Sequence, residues 1–242
     1  MEENLTTFFE PKGVAVVGAS ANPARLSFGV VRNLTDHGYR GAIYPVNPKG
    51  GEILGHRVYP SILDVDDPVD LAVIMLNAKI VPQALEQCGQ RGIKNVIVIS
   101  GGFKESGEEG AHLETQLKHI ITKYGIRLIG PNCVGVIDTY LPLDTTFIAD
   151  MPVQGHIGFV SHSGAICGGT IDWANSVSVG FSRIMSLGNQ LDVDISDGIR
   201  ILGQDTNTRV INVYAEGLPD GIYYYRLQAG EQVATGKVVK VK

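Results

Sequence analysis

The stretch Gly13-Val14-Ala15-Val16-Val17-Gly18-Ala19-Ser20 reads as a short strand that ends in a glycine turn. Four consecutive apolar residues without polar alternation fit a strand covered on both faces, as in a parallel sheet. The pattern repeats downstream. Residues 27–37 carry Phe28, Val31 and Leu34 at helical spacing, with Gly38 to close the helix. Ala42-Ile43-Tyr44-Pro45-Val46 is a second strand and Leu71-Ala72-Val73-Ile74-Met75 a third. A helix over 79–91, with Ile80, Leu85 and Cys88 inward, leads to a fourth strand at 95–100. A helix over about 107–124 leads to a fifth, Arg127-Leu128-Ile129. Strands alternating with helices at this spacing predict a doubly wound α/β fold. Right-handed crossovers then put the turns 18–20, 47–51, 100–103 and 130–133 on one sheet edge, where such sheets bind ligands.

The rest of the chain divides by pattern. Residues 138–152, with Pro142 and Pro152, read as a linker between a first domain (1–137) and a partial second domain (153–217). The second unit predicts a strand at 156–160, a helix at 164–176, a strand at 181–187, a helix at 195–202 and a strand at 209–214. Residues 218–242 change character. IYYYRLQ and QVATGKVVKV alternate in the β sense around Ala229-Gly230-Glu231, a hairpin signal.

Composition agrees with a globular α/β chain. It has 242 residues, 30 Gly, 44% hydrophobic and 19% charged residues, which excludes disordered and fibrous classes. No apolar run reaches the ~18 residues of a membrane helix, and the acidic start lacks the order of a signal peptide. Three Cys without CxxC spacing argue against a disulfide scaffold and a zinc ribbon. A net charge of −5 gives no reason to expect nucleic acid. The expectation is a cytoplasmic protein with no membrane, nucleic-acid or metal partner.

Several motifs carry chemistry. Gly18-Ala19-Ser20 before a helix is a phosphate-cradle candidate, although the second and third glycines of GxGxxG are missing. In Asn47-Pro48-Lys49 the Lys suits an extra phosphate, such as the 3′-phosphate of coenzyme A or the 2′-phosphate of NADP. It equally suits a solvated turn. Ser161-His162-Ser163-Gly164-Ala165 opens a helix and offers hydroxyls and backbone amides to an anion, or plain N-capping. It resembles a nucleophile elbow without the flanking glycine of GxSxG. His162 reads as a ligand contact, a nucleophile or a hydrogen-bonding loop residue. Asp192, Asp194 and Asp197 lack the loop of a calcium site, and Asp194 or Ser196 can cap the next helix. Glu216 can orient a His or a nucleotide, or simply be solvated. His112 and His119 read as surface residues, and Trp173 as a core residue.

Taken together, FFEPKGVAVVGASANP, YPVNPKGG, VIVISGGF, IGPNCVGVI, GFVSHSGA, DWA, SLGNQLDVD and YAEG resemble one family. Residues 8 to about 217 are similar to the α-type region of NDP-forming acyl-CoA synthetases, the ADP-forming acetate–CoA ligase group and, more distantly, the succinyl-CoA synthetase α subunit. The resemblance implies a Rossmann-like CoA-binding domain followed by part of a flavodoxin-like ligase domain. It implies that Val17, Gly18, Ala19 and Ser20 hold CoA phosphates and that Lys49 meets the nucleotide end. Ser100, Gly101 and Gly102 would lie along the cofactor, and Asn132 and Cys133 where thiol and acyl group meet. Ser161, Ser163, Gly164 and Ala165 would receive the transferred phosphoryl group. Glu216 would orient a phosphohistidine, which the family carries downstream of that position. The position of His162 is commonly Gln in the family, so His162 is not that residue.

The implied reaction converts acyl-CoA, phosphate and ADP into acid, CoA and ATP, with an ATP-grasp (β-type) partner. Without the phosphohistidine and ATP-grasp regions the chain is expected to bind CoA without turnover. The alternative is a non-catalytic CoA- or nucleotide-binding module. Residues 218–242 resemble the end of a type IX secretion C-terminal sorting domain, which would make an exported protein a third reading.

Overall fold

The computed structural model describes residues 5–215 and, as backbone, two strands at Gly221–Ala229 and Gln232–Lys240. The first domain alternates strands and helices in the order β1 (Gly13–Val17), α1 (Leu26–Asp36), β2 (Ala42–Val46), a small hairpin of β3 (Glu52–Ile53) and β4 (His56–Arg57), β5 (Leu71–Ile74), α2 (Val81–Gln90), β6 (Asn95–Val98), α3 (Glu108–Tyr124) and β7 (Arg127–Ile129). The five long strands form one parallel sheet, ordered β2-β1-β5-β6-β7. All five residues of β1 are buried. Val14 and Val16 pack with Val30, Val31 and Leu34 of α1 on one face. Ala15 and Val17 pack with Leu85 of α2 and Leu117 of α3 on the other. That two-sided burial is why the strand shows no polar alternation.

The second sheet, ordered β12-β10-β11-β8-β9, is mixed. β10 (Gln154–Ser161) lies parallel to β11 (Phe181–Ser186) and β12 (Val210–Tyr214), joined through α4 (Gly164–Ser176) and α5 (Ile195–Gln204). β8 (Val136–Asp138) and β9 (Leu143–Asp144) complete it in antiparallel register. The remaining strands, β13 (Gly221–Ala229) and β14 (Gln232–Lys240), pair with each other as an antiparallel hairpin. The alternation of 222–228 and 232–241 had pointed to this pairing.

The two sheets share a core: one apolar cluster runs from Val30 and Val73 to Val160, Met185 and Ile201. Polar ties reinforce the junction. Arg127 pairs with Asp192 (2.8 Å) and Asp197 (2.9 Å). Buried Arg183 pairs with Asp138 (2.6 Å) and reaches Glu10 (3.0 Å) at the N-terminal end of the first domain. Asp144, fully buried in β9, meets Asn33 (3.3 Å) and His37 (3.1 Å) of α1.

One expectation is extended and two change. The stretch 138–152, expected as a linker, connects the two domains and also gives β9 to the second sheet, with Asp144, Thr145 and Thr146 buried. Ile80 was expected inward, yet it is 48% exposed. It belongs to a 3-10 turn, Ala78–Ile80, capped by the Asn77 side chain ahead of α2. Trp173 was expected in the core and is 59% exposed. Apolar residues occur all round α4, and Cys167, Ile171 and Ala174 make up its inner face, which leaves Ile166, Trp173 and Val177 outside. Periodicity cannot choose a face when both faces are apolar.

Candidate functional site

The C-terminal edges of the two parallel regions open onto one cavity of about 1140 Å³. Two helices aim their N-termini into it. Ala24, Arg25, Leu26 and Ser27 at the start of α1 line one side, and Ser163, Gly164 and Ala165 at the start of α4 line another. No carboxylate lines the cavity among the described residues, and Arg25 is its one Arg or Lys. First-turn amides and helix dipoles give each terminus partial positive charge. The arrangement suits a ligand carrying several anionic groups, in a chain whose net charge is negative.

The turn after β1 shows how the site is shaped. Gly18 has φ +94°, and a Cβ there would sit 2.3 Å from the Met75 carbonyl oxygen, so only glycine fits. The amides of Gly18 and Ala19 both donate to the Val46 carbonyl (2.9 and 3.2 Å). Val17 and Ala19 are buried, so of the four residues expected to hold phosphates Gly18 and Ser20 line the cavity. The turn is therefore braced by its neighbours, and α1 supplies amides that no side chain caps: Arg25, its N-cap residue, accepts no such bond. Asn47 ties the next turn to this one through a bond to the Ala19 carbonyl (2.8 Å), and its Oδ1 accepts from the Lys49 amide (3.0 Å). Lys49 is exposed and lies outside the cavity lining.

The middle of the edge comes from β5 and β6. Met75, Leu76 and Asn77 line the cavity beside Ser100 and Gly101, and the Ser100 hydroxyl accepts from the Leu76 amide (2.9 Å). Gly102 is outside the lining, with its amide committed to Glu105 (2.6 Å). Asn132 and Cys133 complete this side. The Cys133 thiol points to the Val98 carbonyl (3.4 Å), and burial pushes its pKa up to about 12. It is a packing thiol rather than a nucleophile. Gly188 allows the second domain to close over this turn: a Cβ there would lie 2.3 Å from the Pro131 carbonyl oxygen. The Asn189 amide donates to that same carbonyl (2.8 Å).

On the second domain, Ser163 caps α4 by accepting from the Ile166 amide (3.4 Å). Ser161 is fully buried, donating to the Ser163 carbonyl (2.9 Å) and accepting from the Ser163 amide (3.1 Å). It shapes the turn and lies outside the cavity lining, whereas Ser163 is part of that lining. His162 lines the cavity and contacts the Gln190 amide, whose Oε1 accepts from the Ile195 amide (3.0 Å). Asp192 and Asp197 are held by Arg127, and Asp194 caps α5. His112 and His119 are exposed. Glu216 lies outside the described residues.

Sequence reading missed Arg25 and Ser27, the turn Met75-Leu76-Asn77, and Val134, Phe147, Ile148 and Gly168. The β5 turn was within reach, because the rule that placed the other strand ends on this edge applies to it as well. Phe147 and Ile148 carried no such signal, since only the folding of 144–148 against α1 brings them there.

The comparisons with known proteins agree with this geometry. A family model described as CoA binding domain matches residues 12–139, and one described as succinyl-CoA ligase like flavodoxin domain matches 154–239. The chain is 42% identical over 242 residues to the acetate–CoA ligase [ADP-forming] I subunit alpha of Pyrococcus furiosus, covering 98% of the chain and 52% of that protein. It is 43% identical over 237 residues to acetate–CoA ligase [ADP-forming] I of Archaeoglobus fulgidus, covering 98% of the chain and 34% of that protein. The solved dinucleotide forming acetyl-coenzyme A synthetase 1 of Ca. Korarchaeum cryptofilum, in complex with phosphate and ADP, superposes with a TM-score of 0.85 at 37% identity, over 90% of this chain and 47% of that one. The chain thus spans between about a third and a half of these relatives, and the matches continue beyond residue 217, where the resemblance was expected to stop. With more than half its length matched by the first model, the chain belongs to the CoA binding domain family and carries behind it a succinyl-CoA ligase like flavodoxin domain.

Proposed function

We propose that this chain is the CoA-binding, α-type portion of an NDP-forming acyl-CoA synthetase. The observation that carries this reading is a single carboxylate-free cavity into which two helix N-termini open, one from each domain. In this reading Gly18, Ser20 and the start of α1 receive the CoA diphosphate, and Val17 and Ala19 brace that turn from behind. Lys49 reaches the 3′-phosphate from the rim, and Ser100, Gly101 and Asn132 border the pantetheine arm. Gly102 and Cys133 hold the backbone around it.

The start of α4 receives inorganic phosphate, with the Ser163 hydroxyl and the Gly164 and Ala165 amides as donors and Ser161 holding the turn. A phosphate oxygen attacks the thioester carbonyl carbon, the C–S bond breaks, and the products are an acyl phosphate and the CoA thiolate. The α4 amides stabilise the phosphoryl charge throughout. Transfer onward to a phosphohistidine, with Glu216 orienting it, and then to ADP needs an ATP-grasp partner domain or subunit. The setting is the cytoplasm. Among the described residues no helix is long and apolar enough to cross a membrane.

Calorimetry with CoA, dephospho-CoA, NADH and NADPH tests the reading. CoA is expected to bind, and Lys49→Ala is expected to weaken CoA more than dephospho-CoA. Binding of NADH without CoA would favour the nucleotide-module alternative. For residues 218–242 the sorting-tail resemblance remains a second reading, supported by a hairpin that pairs as its own two-stranded sheet. The flavodoxin-like match through residue 239 supports the ligase reading of the same segment. Truncation after residue 217 separates them: unchanged CoA affinity fits an appendage, and lost affinity fits a ligase element.

A further inference from the structure

Asn189 stands where the second domain meets the turns of the first, and every polar group it has is engaged. Its amide donates to the Pro131 carbonyl (2.8 Å), and its carbonyl accepts from Lys104 Nζ (2.8 Å). Nδ2 donates to Glu105 Oε2 (2.6 Å) and to Glu114 Oε2 (2.9 Å). Oδ1 accepts from Nδ2 of Asn132 (3.4 Å). Glu114 is buried on α3, and its carboxylate also meets Lys104 Nζ at 3.4 Å. Glu105 also accepts from the amides of Gly102 (2.6 Å) and Phe103 (3.1 Å). Burial alone would raise the pKa of Glu105, but the bonds from Asn189 and those two amides outweigh it and hold the pKa below its ordinary value.

These contacts fix a direction. An ionised carboxylate only accepts hydrogen bonds, so the two of them require the NH2 end of the Asn189 amide. Its oxygen then faces the other way, toward Asn132. That oxygen in turn requires the NH2 end of Asn132, which leaves Asn132 Oδ1 on the opposite side, beside Gly101. A Cβ on Gly101 would lie 3.1 Å from that oxygen. The Asn132 backbone is set as well: φ is +61°, and its amide donates to the Ser100 carbonyl (2.9 Å). Asn132 and Gly101 line the cavity, whereas Asn189, Glu105 and Glu114 lie outside its lining. Two carboxylates outside the cavity thus give it an acceptor oxygen at a defined place.

We propose that Asn189 is a positioning residue that turns Asn132 to present Oδ1, and that this oxygen accepts a hydrogen bond from an amide N–H of the pantetheine arm. The inference rests on the CoA reading above. The phosphates of CoA offer acceptor oxygens, which another acceptor repels. The pantetheine hydroxyl can turn to donate or to accept and gains little from a fixed acceptor. The two amide N–H groups of the arm can only donate, and one taken out of water without a partner costs binding energy. Asn132 Oδ1 supplies that partner.

Calorimetry on the full chain with CoA and with 3′-phospho-ADP, its nucleotide end without the pantetheine arm, tests this. Asn132→Gly removes the acceptor and keeps a residue suited to the positive φ. It is expected to weaken CoA by about three- to tenfold, the worth of one hydrogen bond, and to leave 3′-phospho-ADP unchanged. Asn189→Ala is expected to give the same pattern less strongly. The double variant is expected to match Asn132→Gly alone, because Asn189 acts through Asn132. Asn189→Ser, which keeps a donor for one carboxylate, takes the place of Asn189→Ala should that variant fail to fold. CoA analogues with one pantetheine amide replaced by an ester, each in turn, read the donor. One of the two is expected to bind the wild-type chain more weakly and to lose nothing further in Asn132→Gly. Unchanged CoA affinity in Asn132→Gly, an equal loss for CoA and 3′-phospho-ADP, or both esters bound as tightly as CoA would overturn the acceptor. Additive losses in the double variant would overturn the positioning by Asn189 alone. A wild-type chain that binds neither CoA nor 3′-phospho-ADP would overturn the CoA reading itself, and this inference with it.

Discussion

The helices α1 and α4 start at the same cavity and are held very differently. α1 buries Val30, Val31, Asn33 and Leu34, and its C-terminal end is clasped to β9 through Asn33 and His37 on Asp144. Its N-terminus has no side-chain cap. α4 has the opposite pattern: a serine cap at its start, and Ile166, Trp173 and Val177 exposed along its outer face. A helix fixed along its length can leave its first amides open to a permanent ligand group. A helix with an exposed flank and a hydroxyl already poised over its amides can share them with a group that comes and goes. The difference matches the two roles proposed, a resident diphosphate at α1 and a transferred phosphoryl at α4.

The largest expected effect breaks the α1 side. Gly18→Ala forces a Cβ to 2.3 Å from a backbone oxygen at a positive φ. A loss of about 3 kcal/mol or more of stability is expected, with CoA binding abolished, measured by denaturant unfolding and calorimetry. A variant with wild-type stability and affinity would show that the β1 turn tolerates a side chain.

A smaller effect tests the clasp. The hydrogen bond to Asp144 raises the pKa of His37 above its usual 6.5, against the lowering effect of burial. A raised folded-state value means that this stabilisation is full below pH 6.5 and is lost as the pH rises through the folded-state pKa. Wild-type stability is therefore expected to fall across that window by on the order of 1 kcal/mol relative to His37→Gln. Parallel pH profiles of the two proteins in urea unfolding would show that the clasp contributes no pH dependence.

The smallest effect sharpens the α4 side. Ser163→Ala removes a cap worth about 1 kcal/mol at most, since its bond is long at 3.4 Å. Phosphate binding is expected to weaken several-fold, with CoA affinity unchanged within a factor of about two. A loss of CoA affinity equal to the loss of phosphate affinity would mean that the two helices do not divide the ligand as proposed.

Much of this was legible in the sequence, for reasons that vary by segment. Strands such as 13–17 and 71–74 announced themselves because a strand covered on both faces has no polar positions. The helix 164–176 was bounded at its start by Ser163, although its inward face was not readable. Gly18 and Gly101 stood out because each follows the end of a strand, but which amides remain open did not. The Gly18 and Ala19 amides turn inward to Val46, a partner on the neighbouring strand that no local pattern names. Phe147 and Ile148 were invisible for a related cause, since Asn33, more than a hundred residues away, holds them in place.

The sequence by itself determined the alternation of strands and helices, the sheet edge where turns gather, the two Gly- and Ser-containing turns that begin helices, and the family. These are local properties, written in periodicity and in residues that only a few backbone conformations demand. The tertiary structure decided that both helix N-termini open into one cavity, that Leu143 and Asp144 within 138–152 join the second sheet, and that Trp173 faces outward. It also decided that Phe147 and Ile148 reach the cavity. Each of these depends on contacts between segments far apart in the chain, whose geometry exists only once the two sheets share a core.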